Sequence, residues 1–265
     1  MIRGMFFLCM QLAVFWPVWR WYAARVTDSS DEPWGILALV TALLFLLLKG
    51  RRREVKGIHM AISGLFVLAY AATFPWMPPL GRAVLAVLAI GCLASASCLG
   101  RPLHMGILGL LLLSLPIIAS LQFFLGYPVR YLTAIVASKV IGLTGYHVVS
   151  QGTCLHWMGE IISVDAPCSG IRMLWSGLYL NFTLACFTGL DSFKTWLAYV
   201  FSVAVIFLGN TIRATALFYT ESGIVPGPEW THQAVGLAVF SVAGLSIVLF
   251  HRVVDRSGGG AAWTA

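Results

Sequence analysis

The chain has 265 residues, of which 59% are hydrophobic and only 10% are charged, and its formal net charge is +7. A soluble domain carries roughly 25% charged residues. This composition therefore excludes a soluble globular enzyme and indicates an integral membrane protein. The basic residues gather in short loops between apolar runs, as the positive-inside rule produces, which argues against a nucleic-acid-binding surface. We predict an all-α, polytopic transmembrane helical bundle without a nucleic-acid partner.

Eight apolar runs approach the length of roughly 20 residues that a helix needs to cross a bilayer. Arg3 followed by the first run resembles a signal peptide, but no small-residue cleavage site follows it, so we interpret this run as an uncleaved span. The predicted spans are residues 4–22, 34–48, 58–75, 83–99, 105–125, 169–188, 196–217 and 232–251.

A dense basic loop at positions 49–56 sets the predicted orientation. It lies between the second and third spans and is expected on the cytoplasmic side. The acidic stretch 28–32 then lies outside, and both termini lie in the cytoplasm, as an even number of spans requires. We divide the chain into N-terminal helices (1–100), a core that contains the polar motifs described below (101–256) and a flexible tail (257–265).

The segment 126–167 is predicted to lie outside, between the fifth and sixth spans. Its part 129–143 is apolar with helical spacing but carries Arg130 and Lys139, which indicates an amphipathic, interfacial helix. The part 147–165 contains glycines and β-branched residues and predicts a short hairpin.

The first polar motif beside a span is Pro167-Cys168-Ser169-Gly170. Asp165 is suited to cap the sixth span, and Pro167 is suited to its first turn. A thiol in that first turn feels the positive end of the helix, which stabilises a thiolate. A thiolate is the nucleophile that cysteine hydrolases and acyltransferases use.

Two further polar motifs reach the same outer side. Arg213 is predicted to lie about one turn from the outer end of the seventh span, and Asn210 lies three residues earlier on the same helix face. His232 opens the eighth span from the outside. A guanidinium there can stabilise a thiolate or an oxyanion, and an imidazole can transfer protons. Polar groups beside hydrocarbon are costly, so three of them on one side favour catalysis.

Each of these residues also has an alternative interpretation. Cys168 can be a packing residue, and Arg213 can form a structural ion pair with Glu221 or Glu229. Other outer residues compete for a role, and Cys154 could form a disulfide with Cys168. We predict no metal site, because no Cys-x-x-Cys or His-Glu-x-x-His motif occurs. The competing or supporting outer residues are His147, His156, Cys154 and Arg172, the last of which shares the predicted face of Cys168.

These motifs together resemble the exosortase/archaeosortase family. The resemblance rests on Ala166-Pro167-Cys168-Ser169-Gly170-Ile171-Arg172, on Asn210-Thr211-Ile212-Arg213, and on His232 followed by Gly236. It covers roughly residues 100–250. The family often has alanine before the cysteine, whereas this chain has Pro167.

The resemblance implies a multi-pass cysteine peptidase or transpeptidase of the bacterial inner membrane, with its active site on the extracytoplasmic face. Cys168 would be the nucleophile, Arg213 the electrostatic stabiliser and His232 the general acid and base. Supporting or substrate-binding roles would fall to Arg172, Asn210, Ser169 and Glu229. Substrates would be membrane-anchored proteins with a C-terminal motif, a transmembrane helix and a basic tail. The cleaved protein would form a thioester with the enzyme and would then be transferred to an unidentified acceptor. No cofactor is expected.

Three other classes of function remain open on sequence grounds, and the last of them, a purely structural subunit, would make the grouping of the polar motifs a coincidence. An intramembrane serine protease would use Ser169 and His232 and would survive thiol alkylation. A non-enzymatic, transporter-like protein would use Arg213 to hold an anion, although the sequence has no pair of interrupted helices of the kind found in transporter repeats.

Overall fold

The structure is a computed structural model, and it describes residues 2–27, 34–50, 53–101, 103–164, 170–228 and 230–256. Within these ranges the chain forms ten α-helices, one π-helical turn and one three-stranded sheet. The chain divides into two compact units. Among the described residues, one unit comprises those within 1–119 and 182–196, and the other comprises those within 120–181 and 197–256. The predicted tail 257–265 lies outside the described residues.

Six helices form most of the first unit. Small buried residues such as Ala83, Ala86 and Ala89 line α5 and let neighbouring helices approach closely. A polar chain supports this packing: the Gln11 amide donates to Ser63 Oγ at 2.6 Å, and Ser63 Oγ donates to the Ala89 carbonyl at 2.7 Å. The helices are α1 (Ile2–Val14), α2 (Trp16–Thr27), α3 (Trp34–Lys49), α4 (Gly57–Thr73), α5 (Pro79–Ala94), followed by the π-helical turn Ser95–Leu99, and α6 (Met105–Leu113).

The first predicted span, 4–22, is wrong as a single helix. The chain breaks at Phe15, where α1 ends and α2 begins. Pro17 explains the break, because it has no N–H to donate to the preceding turn but fits the first turn of a new helix. Phe15 is fully buried at the junction and meets the Tyr70 ring edge-on, with 4.9 Å between the ring centroids.

The fifth predicted span, 105–125, is likewise not a single continuous helix. Helix α6 ends at Leu113, and the next helix, α7 (Ile118–Gly142), starts after a break that contains Pro116. The predicted amphipathic helix 129–143 is not a separate element but the second half of α7. Helix α7 continues through Pro128 in its interior, although proline usually disrupts a helix.

The predicted hairpin is confirmed and extended by a third strand. Strands β1 (Val149–Gln151), β2 (Cys154–Trp157) and β3 (Glu160–Ser163) pair antiparallel in that order. Gly152 and Gly159 take positive φ values of 62° and 85° in the two turns, a conformation that glycine adopts at little cost. The inner face of the sheet packs against α7 and the end of α9. The shared core contains Ala134, Ala137, Ile141, Leu155, Ile162, Val164, Leu217 and Phe218.

Three long helices follow the sheet: α8 (Ile171–Thr188), α9 (Ser192–Glu221) and α10 (Thr231–Arg256). They correspond to the last three predicted spans, but α9 extends four residues beyond its predicted span at each end. Arg213 therefore lies eight residues before the end of its helix (221 − 213), about two turns from it rather than about one.

Three described helices are long and apolar enough to cross a membrane: Pro79–Leu99, which includes the π-helical turn, Ser192–Glu221 and Thr231–Arg256. A fourth candidate arises if α6 and α7 count as one broken span, and α3 and α4 are shorter apolar helices. Large apolar side chains point outwards, as lipid contact requires; Leu237 is 69% exposed and Phe123 is 80% exposed. The chain is thus an all-α membrane protein. By length and composition, three or four candidate spans are found among the described helices, fewer than the eight predicted.

A buried polar network joins α8, α9 and α10 in the second unit. Asn181 Oδ1 lies 2.9 Å from His251 Nε2 and 3.3 Å from Ser202 Oγ. All three side chains are at most 1% exposed. Because buried polar groups are costly unless they are hydrogen-bonded, this network specifies how the three helices pack.

Candidate active site

The site begins at Gly170, immediately before α8. Gly170 is buried and has a φ of 74°, which strongly favours glycine. A Cβ atom at this position would lie only 2.8 Å from Cγ of Asn210 on α9. Both the backbone conformation and the close contact therefore require a residue without a side chain.

The predicted nucleophile precedes Gly170 by two residues. Cys168 and Ser169, together with the predicted capping residues Asp165 and Pro167, lie outside the described residues. The flanking chain is well anchored: Val164 is 4% exposed, and its N–H donates to the Thr153 carbonyl at 3.0 Å. On the other side, the Gly170 carbonyl accepts from the Leu174 N–H at 2.7 Å, in the first turn of α8.

Asn210 connects three parts of the second unit. It is 2% exposed on α9, its Nδ2 donates to Thr133 Oγ1 of α7 at 3.3 Å, and its amide lies against Gly170. Arg213 follows Asn210 by one turn of the same helix. The two motifs that the sequence separates by about forty residues are therefore adjacent at Gly170 and Asn210.

Arg213 and His232 are in direct contact. A terminal guanidinium nitrogen (NH2) of Arg213 lies 3.0 Å from His232 Nε2. Because arginine has only donors, Nε2 must accept this hydrogen bond, and the imidazole proton is therefore assigned to Nδ1. Gly236, one turn further along α10, leaves room for the guanidinium; a Cβ there would lie 3.4 Å from Arg213 Nε.

The Nε–H of the Arg213 guanidinium is a second donor of interest at this site. Arg213 Nε is buried and has no hydrogen-bond partner among the residues that the structure describes. A buried donor without an acceptor is costly, so this N–H offers a site for an oxyanion or a thiolate.

Glu221 lies on the Nδ1 side of the same imidazole. Its Oε1 is 3.8 Å from His232 Nδ1, and both side chains are 43% exposed. On sequence grounds Glu221 was considered only as an ion-pair partner of Arg213, whereas the geometry places it beside His232. No signal in the sequence pairs Glu221 with His232, and only the tertiary contact identifies this partner. Glu229, the other acidic candidate, lies outside the described residues.

The remaining outer candidates occupy separate places. Arg172 is exposed in the first turn of α8, His147 is exposed just before β1, and His156 is half-buried in β2 opposite Val149. Cys154 is a half-buried free thiol, also in β2. The histidine that contacts Arg213 is thus His232. Across the described part of the chain, no group of three or more His, Cys, Asp or Glu side chains is arranged to hold a metal ion.

The class of the protein is defined by a helical membrane fold in which Arg213, two turns before the end of α9, contacts His232 at the start of α10. The sequence of the chain matches the model of the transmembrane exosortase family (Exosortase_EpsH) over residues 3–249. The chain therefore belongs to the transmembrane exosortase family, whose members are in general membrane peptidases or transpeptidases acting in protein sorting. No curated protein and no solved structure gives a significant match.

Proposed function

We propose that this protein is a membrane cysteine transpeptidase that cleaves exported proteins at their C-terminal sorting signals and transfers the cleaved proteins to an acceptor. The observation that carries the proposal is the contact of Arg213 with His232 one turn from Asn210, which itself touches Gly170. Two bonded residue steps of about 3.8 Å each keep the Cα of Cys168 within about 7.6 Å of the Gly170 Cα. This upper limit supports the proposal, because it is compatible with a thiol that acts beside the helix carrying Arg213.

The resting contact defines the first step. His232 Nε2 accepts from Arg213, so its lone pair is occupied until the guanidinium turns away. We expect the carbonyl oxygen of a bound substrate to attract Arg213, because its charge stabilises the developing oxyanion. The released Nε2 then takes the proton of the Cys168 thiol.

The covalent steps follow from these roles. The Cys168 sulfur bonds to the scissile carbonyl carbon, and the carbonyl electron pair moves to the oxygen, which Arg213 stabilises. The C–N bond then breaks, and the imidazolium gives its proton to the departing amine, leaving a thioester. An acceptor amine, hydroxyl or water loses its proton to His232 and attacks the thioester, and the thiolate leaves and regains a proton.

Glu221 supports this cycle by holding His232 in the required state. A carboxylate beside Nδ1 favours the Nδ1–H tautomer and stabilises the imidazolium that forms in each half-reaction. Asn210 positions the Gly170 turn. Supporting or substrate-binding roles are assigned to Ser169, Arg172 and Glu229.

The substrate class follows from the family and from the predicted orientation. Family membership implies membrane-protein substrates with sorting signals. We propose that a substrate helix docks from the lipid, with its recognition motif at the extracytoplasmic face and its basic tail in the cytoplasm. The enzyme accordingly acts in the bacterial inner membrane, with both of its own termini in the cytoplasm.

The test is co-expression with a protein carrying a motif, a transmembrane helix and a basic tail, followed by mass analysis of that protein. Wild type and Cys154→Ala, which removes another thiol of the outer segment, are expected to process it, and Cys168→Ala is not. Continued processing by Cys168→Ala would overturn cysteine catalysis. If Ser169→Ala abolished processing while Cys168→Ala did not, serine catalysis would replace cysteine catalysis as the proposed mechanism.

A further inference from the structure

A small cavity in the first unit lies between α2, α4 and α5. Its volume is about 180 Å³. Its lining combines apolar and aromatic side chains with a single cation and a phenol. The lining residues are Pro17, Val18, Trp21, Tyr70, Pro79 and Arg82.

Two buried donors in this cavity have no acceptor. Tyr70 is 4% exposed, and its hydroxyl has no hydrogen-bond partner among the described residues. The Nε of Arg82 is likewise buried without a partner in the described part of the chain. The two side chains line the same small cavity, which places them close together. Unsatisfied buried donors of this kind are rare in folded proteins and point to a missing acceptor.

Arg82 is held in place by its surroundings. Its guanidinium carbon lies 4.6 Å from the centroid of the Phe74 ring, a cation–π contact that restricts the side chain. The backbone of Arg82 belongs to the first turn of α5, where Pro78 caps the helix without a side-chain hydrogen bond. The free N–H groups of such a turn and the positive helix end both favour an anion.

The location of the cavity at the start of a candidate membrane span indicates which kind of anion it binds. Helix α5 opens the candidate membrane span Pro79–Leu99, so its first turn lies where hydrocarbon meets the lipid headgroups. Trp16 and Trp76, near the same helix ends, are 62% and 83% exposed, as is typical of the aromatic belt at a membrane interface. The anionic groups concentrated at that depth are lipid phosphates.

We propose that this cavity binds a phosphate group, supplied by a membrane lipid headgroup, through Arg82, Tyr70 and the first turn of α5. The arginine provides a planar fork suited to two phosphate oxygens. The phenol donates to a third oxygen, and Trp21 lies beside the headgroup. The proposal is independent of the catalytic assignment, because none of these residues takes part in it.

The test is native mass spectrometry of the full chain in detergent, with added phosphatidic acid, with diacylglycerol, which lacks the phosphate, and with inorganic phosphate as competitor. Arg82→Gln should weaken phosphatidic acid binding about tenfold or more, and Tyr70→Phe about three- to tenfold, by loss of hydrogen bonds to a charged group. Arg20→Gln is the matched control, because Arg20 is an exposed arginine of α2 outside the cavity. It should bind like wild type.

Each outcome decides the matter. Equal binding of phosphatidic acid and diacylglycerol, or equal weakening by Arg82→Gln and Arg20→Gln, would overturn the proposal. Binding of inorganic phosphate without binding of phosphatidic acid would keep the phosphate site but assign it to a free anion. Tyr70→Phe removes only a hydroxyl, so it keeps the test valid if Arg82→Gln fails to fold.

Discussion

Substitution of Gly170 by alanine tests the link between the nucleophile segment and α9. The φ of 74° costs a non-glycine residue about 1–2 kcal/mol. The new Cβ would lie 2.8 Å from Asn210 Cγ, well inside the optimal carbon–carbon separation of about 3.5–4.0 Å. Such overpacking costs a further 1–3 kcal/mol, roughly. We expect a loss of about 2–5 kcal/mol in the free energy of unfolding.

Gly223→Ala is the matched control for this substitution. Gly223 has almost the same φ, 72°, but nothing lies within 4 Å of the Cβ position. It should therefore lose only the conformational part, about 1–2 kcal/mol. In a chain of this size each kcal/mol shifts the unfolding midpoint by about 2–4 °C, so thermal unfolding in detergent should separate the two variants.

Substrate processing should separate the two variants further. A displacement of about 1 Å at a catalytic group can reduce the rate about a hundredfold, and Asn210 lies one turn from Arg213. Adding Asn210→Ala to Gly170→Ala should recover part of the lost stability, because it removes the atoms that the new Cβ meets. If Gly170→Ala and Gly223→Ala had the same midpoint and the same processing rate, the proposed contact would carry no functional weight.

Three further predictions follow from the described contacts. Glu221→Gln should lower kcat about 5- to 30-fold with little change in KM, because two half-exposed groups 3.8 Å apart interact by about 1–2 kcal/mol; an unchanged kcat would remove Glu221 from the cycle, and Glu221→Asp should restore part of it. Arg213→Lys should lower kcat about 10²- to 10³-fold, as loss of an oxyanion donor does, and a change confined to KM would instead assign Arg213 to substrate binding. Burial, assisted by the charge of Arg101, lowers the pKa of His104 to about 4. In the folded protein His104 is therefore neutral above about pH 4, whereas in the unfolded chain it is protonated below about pH 6.5. Its contribution to the free energy of unfolding is full above about pH 6.5 and falls as the pH approaches 4. At pH 5 the loss is about 2 kcal/mol. The melting temperature of His104→Gln should be less sensitive to pH over this range, and equal sensitivity would contradict the assignment.

The hydropathy pattern was sufficient to predict the last two helices, because long uninterrupted apolar runs have few alternatives in a bilayer. It failed where a proline interrupts a run. Pro17 and Pro116 end one helix and begin another, whereas Pro128 lies inside α7. Whether a proline ends a helix or is accommodated in its interior depends on tertiary contacts, which a single sequence does not reveal.

The candidate site was predictable in composition but not in contacts. Charge alone placed Arg213 and His232 on one side, and the structure adds that they are hydrogen-bonded. The partnership of Glu221 with His232 depends on the path of the chain after α9. The role of Gly170 depends on Asn210 of another helix. Such pairings come from packing, for which a single sequence has no periodic signal.

The buried network of Asn181, Ser202 and His251 has a consequence for how the protein is made. Asn181 and His251 are separated by 70 residues, which a ribosome takes roughly 4–14 s to add at about 5–20 residues per second. During that interval the Asn181 amide lacks its imidazole partner. A chain arrested before α10 would leave this amide without His251 and would also lack His232. Helix α10 thus completes both the packing of this buried network and the proposed active site, so a nascent chain would lack both until α10 has been synthesised.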